Sequence, residues 1–97
     1  MLVPPEFQNL SAYFHQDMML INPSFDAGVA VAIAAQDDAS RVIVRDFLDE
    51  LLSGRHDDEE IDQVWRKSRA HIGFTNTREL IIVLGLIRDM IVSPPRQ

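Results

Sequence analysis

The sequence predicts an all-α fold, a single small helical bundle or orthogonal array of about five helices across residues 1–97. Three observations predict it. Apolar residues recur at helical spacing in five segments. Capping residues stand before these segments, and glycine or proline behind most of them. No internal repeat, low-complexity segment or long linker interrupts the series. Ninety-seven residues suit one domain, and a chain of that size can bury roughly two-thirds of its unfolded surface.

The first helix is expected to open at Pro4-Pro5, where no N–H donor is needed. Phe7, Leu10, Ser11 and Phe14 form its inner face, and it should end near His15 to Asp17. Met18 to Asn22 reads as an apolar connector, with Asn22-Pro23 as a turn. Ser24 caps the second helix, and Asp26 sits in its positive first turn. Phe25, Val29, Ala32 and Ile33 are its buried stripe. The Val-Ala-Val-Ala-Ile run there also suits a strand, but the alanines favour helix.

Asp38 or Ser40 should open the third helix, with Val44, Phe47, Leu48, Leu51 and Leu52 inward and Gly54 as its left-handed stop. Asp57 and Glu60 form a D-x-x-E cap for the fourth, with Asp58 and Glu59 at the same end. Ile61, Val64, Trp65, Ser68 and Ile72 line its inner side up to Gly73. Asn76 and Glu79 cap the fifth. It is apolar on nearly every side from Leu80 to Ile87, which predicts the central, most buried position. Ser93-Pro94-Pro95 should stop it.

The net charge is −6 and unevenly spread. Twelve acids stand against Arg41, Arg45 and Arg55 between Asp17 and Asp62, whereas the bases lead from Arg66 onward. An acidic first two-thirds speaks against nucleic acid or an anionic membrane as the partner. It suits solubility, and equally the steering of a basic protein. No cysteine is present, which excludes disulfides and thiolate chemistry and fits a reducing cytosol. The N-terminus lacks the features of a secretory signal, and no apolar run approaches the ~20 residues that span a bilayer. The expected location is cytoplasmic.

Catalytic signals are scarce. No serine elbow, phosphate-binding glycine loop or H-E-x-x-H pattern occurs, so neither a cofactor nor a metal is expected. His15 and Asp17 suggest an acid–base pair, but two residues apart on a helix they face different ways. His15 at a helix end reads instead as a donor to the last carbonyls, and His71 before Gly73 likewise. His56-Asp57-Asp58-Glu59-Glu60 resembles a hard-cation site. Capping accounts for it, and the alternate ligands and turn glycine of a calcium loop are missing. A metal-dependent hydrolase using His15, Asp17 and residues 56–60 requires these groups to converge.

Leu10-x-x-Tyr13-Phe14-His15-Gln16-Asp17, preceded by Phe7 and followed by the Ser24-x-Asp26-Ala27 helix start, resembles the CdiI-like immunity proteins of contact-dependent growth inhibition systems. The leucine-rich stretch Phe47-Leu48-x-x-Leu51-Leu52 and the apolar last helix follow the same order. Met18 stands where that family tends to carry an aromatic, and His71-Ile72-Gly73-Phe74 replaces its aromatic and proline loop.

The resemblance implies an immunity protein that binds and neutralises a cognate toxin domain, often a basic nuclease, as a 1:1 complex without turnover. Under it, Tyr13, Phe14, His15, Gln16 and Asp17 hold the fold. The exposed acids Asp37, Asp38, Asp46, Asp49, Glu50, Asp57, Asp58, Glu59 and Asp62 become the candidate toxin contacts. The alternative is a helical adaptor or homodimer that uses the apolar last helix.

Overall fold

In a computed structural model the structure describes residues 2–93, all-α with no strand among the described residues. The helices are α1 (Pro5–Ser11), α2 (Met18–Ile21), α3 (Phe25–Ala34), α4 (Asp38–Leu51), α5 (Asp58–Arg66) and α6 (Thr77–Val92). Five are the expected ones. The short α2 is a single turn where a connector was expected, and its Met18 is buried in the core. Gly28 of α3 lets it approach, because a Cβ there would lie 2.6 Å from Met18 Cε.

Helix starts follow their caps. Ser24, Asp57 and Asn76 accept from the amides of Ala27, Glu60 and Glu79 at 3.1, 2.9 and 2.9 Å. α4 opens at Asp38, the earlier of the two expected starts. Its cap is the preceding Asp37, whose carboxylate accepts from the Ser40 amide at 2.7 Å. Arg41 then reaches back, donating to the Ile33 carbonyl near the C-terminus of α3. Gly54 takes φ +94° just after α4, a conformation that suits glycine.

Two helices end earlier than the apolar spacing implied. α1 stops at Ser11, and the amides of Tyr13 and Phe14 bond the carbonyls of Leu10 and Ser11 in tighter turns. These turns carry Phe14 into the core, where it is fully buried. His15 therefore closes no helix. Its Nδ1 accepts from the Asp17 amide instead. α5 stops at Arg66, well before Gly73, and the Ser68 hydroxyl takes the Trp65 carbonyl at 2.6 Å. Such side-chain bonds compete with the helical ladder.

Residues 67–76 have no regular structure but are firmly held. The Arg69 amide donates to Ser11 Oγ at 3.0 Å, the His71 amide to the Phe14 carbonyl at 2.7 Å, and Trp65 Nε1 to the Ile72 carbonyl at 2.8 Å. His71 thus serves this cross-link and not a helix C-terminus. Ser11 also donates to the Gln8 carbonyl and is buried, so its hydroxyl is used in both directions. Ser11→Ala is expected to lower stability by about 1–3 kcal/mol, the cost of stranding a polar group. Urea denaturation checks this, and an unchanged midpoint would remove the cross-link from the account of stability.

The core gathers around aromatic rings. Phe7 lies 5.1 Å from Phe47, and Trp65 lies 5.5 Å from both Phe14 and Phe74. α6 packs on α3, α4 and α5, while α1 packs on α4 and α2 on α3. α6 is therefore central in connectivity, but it is not the most buried helix. Only Leu80, Leu84 and Ile87 are buried, and Ile82 remains 64% exposed. Ser93 is its C-cap, and the expected Pro94-Pro95 stop lies outside the described residues.

Candidate protein-binding surface

The candidate acids lie on the outside of α4 and α5 and just before them, and most are already engaged. Asp37 and Asp57 cap helices. Asp38 pairs with Arg41 at 2.8 Å, Asp46 with Arg45 at 3.0 Å, Asp49 with Arg88, and Glu50 with Arg55. Asp62 accepts from the Thr77 hydroxyl at 2.7 Å and lies 3.9 Å from Arg66. Glu59 accepts from Gln63. Asp58 alone of the nine has neither a hydrogen bond nor an ion pair at its carboxylate among the described residues. Exposed pairs of this kind contribute little to stability. They do reduce the field a partner meets, so this edge is less strongly negative than its acid count suggests.

The Asp37 carboxyl is held below the ordinary aspartate range, first by the Ser40 amide, then by the Ser40 side chain and the Arg41 charge. A depressed folded value stabilises fully above the unfolded pKa of about 3.9. That contribution is lost as pH falls through the lower folded value. Asp37→Asn keeps a cap but removes the titration. Its denaturation midpoint is expected to fall less steeply below about pH 4 than that of the parent. Parallel acid profiles for the two would contradict this.

The groups considered for metal or acid–base chemistry have local duties. His56 Nδ1 lies 2.9 Å from Glu60 Oε1, which diverts Glu60 from the capping box. His15 holds the Asp17 amide. No group of three or more histidines, aspartates or glutamates is disposed to hold a metal ion among the described residues. A hollow of about 310 Å³ between α5 and the start of α6 includes Asp62, Arg66 and Asn76, whose polar groups serve the bonds just described.

A more open surface lies along α3 and α6. Along the seam between α3 and α6 run two apolar hollows. One, of about 290 Å³, is lined by Phe25, Phe74, Glu79, Ile82 and Val83. The other, of about 330 Å³, is lined by Asp26, Ala27, Ala30, Leu86, Met90 and Ser93. On α6, positions 79, 82, 83, 86, 90 and 93 share one face by helical spacing. Outside the hollows, Val31 of α3 is 50% exposed, and Leu20 and Ile21 of α2 are 84% and 70% exposed. Helices that are apolar all round are normally enclosed. Here two of them touch and each shows an apolar side to solvent.

Sequence reasoning points to α6 as an interface only under the adaptor alternative, and it misses α3. The available signal is that Phe25 to Ala35 carries Asp26 as its only charge. No helix among the described residues is long and apolar enough to cross a membrane. None of the family models, curated proteins or solved structures compared with the chain matches it.

Proposed function

We propose that the chain is a protein-binding domain that neutralises a cognate toxin domain, as an immunity protein of a contact-dependent growth inhibition system does. The observation that carries the binding reading is the uncovered apolar seam of α3 and α6. Exposed apolar side chains gathered along two packed helices, with Ile82 the most open of them, support an interaction site. The toxin as partner class rests on the Tyr13-Phe14-His15-Gln16-Asp17 resemblance, and the net charge of −6 suits a basic partner. Carboxylates and imidazoles engaged in caps and ion pairs fit binding better than turnover.

The test is affinity capture with the tagged chain against the products of neighbouring reading frames, followed by titration. The expected result is a 1:1 complex with a basic toxin domain, loss of the toxin's activity, and association that slows as salt rises. Failure of every neighbouring product to bind, with mass that grows with concentration, would sink the proposal. That outcome would favour the second reading, a homodimer or adaptor built on the same exposed face of α6.

A further inference from the structure

Taking the chain as a binding protein, as proposed above, we infer that the α3–α6 seam receives an amphipathic helix whose apolar stripe is flanked by lysine or arginine. Three features select this occupant. The first is shape. Phe25 lines one hollow with Ile82 and Val83, while Ala30, farther along α3, lines the other with Leu86 and Met90, an order in which both helices advance in the same sense along the hollows. From Glu79 to Ser93 the α6 face is about 21 Å long by helical rise. Two hollows in succession along a face of that length suit a third helix, which would seat apolar residues spaced i, i+3, i+4 and i+7.

The second feature is the walls. Small residues on the α3 side, Ala27 and Ala30, allow close approach, and the larger Ile82, Leu86 and Met90 supply the contact area. Met90 is unbranched and adapts to the shape it meets. The third feature is charge. Each hollow carries one acid, Glu79 or Asp26, and neither is lined by a base. A second copy of this chain would bring the same patch, with the same acids and no base, to the other side of a two-fold interface, so neither acid would gain a basic partner from within it. The net charge of −6 adds repulsion. A helix with basic flanks meets both acids with opposite sign.

Two synthetic helices of about 15 residues, sized to the seam, provide the probe. Both carry leucine at the stripe positions, one with lysine flanks and the other with glutamate. Each is titrated into the full chain with NMR readout. The lysine peptide is expected to bind at least about tenfold more tightly, since like charges at a rim disfavour the other. Shifts should centre on Ala30, Ile82, Leu86 and Met90. Ile82→Asp should weaken binding about tenfold or more, because a charge would be buried without a partner. Val42→Asp, at an exposed position on α4, should leave binding unchanged. Equal binding of the two peptides, shifts confined to the α4–α5 edge, or self-association through this face would each overturn the inference. A captured toxin domain seated on α4–α5 with the seam free would overturn it too, while leaving the proposed function standing.

Discussion

Trp65→Ala is expected to destabilise the protein by about 3–5 kcal/mol, the range for removing a large buried aromatic. Total stability of a small domain is about 5–15 kcal/mol, so the variant should be close to unfolding at ambient temperature. Trp65 touches more of the architecture than any single stripe predicts. Its ring lies 6.5 Å from Phe7, and 5.5 Å from both Phe14 and Phe74. Its Nε1 holds the Ile72 carbonyl. Alanine opens a cavity at the meeting of α1, α5 and the 67–76 segment and frees that carbonyl. Trp65→Phe separates the two effects. It keeps most of the packing and loses the hydrogen bond, worth about 1 kcal/mol. Guanidinium denaturation of both variants checks the ordering. A Phe variant as damaged as the Ala variant would mean that the hydrogen bond, not the packing, holds this junction.

Phe14→Ala is expected to cost about 3–5 kcal/mol by the same cavity argument. Tyr13→Ala, Gln16→Ala and Asp17→Ala should each stay within about 0.5 kcal/mol, as exposed positions usually do. Phe14 is fully buried against Phe25 and Trp65, whereas Tyr13, Gln16 and Asp17 are exposed. The aromatic motif is thus uneven. Its packing lies in one ring, with His15 turning the chain into α2. Thermal melts of the four variants check this. If Tyr13→Ala abolished partner binding while melting normally, the motif would belong to the interface, and a purely structural role would fail.

The parts of the fold governed by neighbours in sequence were readable. Ser24, Asp57 and Asn76 cap through amides three residues away, so their bonds follow from local spacing. The inner stripe of α4 was equally plain. The ends of α1 and α5 were not, because Ser11 and Trp65 bond to a segment distant in sequence or beyond the helix. Apolar spacing alone continues both helices past their true ends. Charge showed the same limit. Asp38 with Arg41 and Asp46 with Arg45 are close in sequence, but Asp49 with Arg88 needs the fold to bring α4 against α6. Seven of the nine candidate acids are exposed as expected, Glu50 and Asp62 are half-buried, and the long-range partners cannot be read from the sequence. The burial of α6 was overestimated for a related reason. Composition gives the width of an apolar face, not how much of it the rest of a 97-residue chain can cover.

The cross-link between the α1 region and the 67–76 segment has a dynamic consequence. The amides of Arg69 and His71 lie in a segment without helix or strand, where backbone N–H groups ordinarily trade protons with solvent quickly. Their acceptors, Ser11 and Phe14, lie more than fifty residues earlier in the sequence. Local fraying of α5 or α6 therefore does not free them. They exchange only when the α1 region parts from α5, an opening that also breaks the aromatic core. In a native-state hydrogen-exchange experiment these two irregular positions should report the slowest, most global unit of unfolding, ahead of the helix termini.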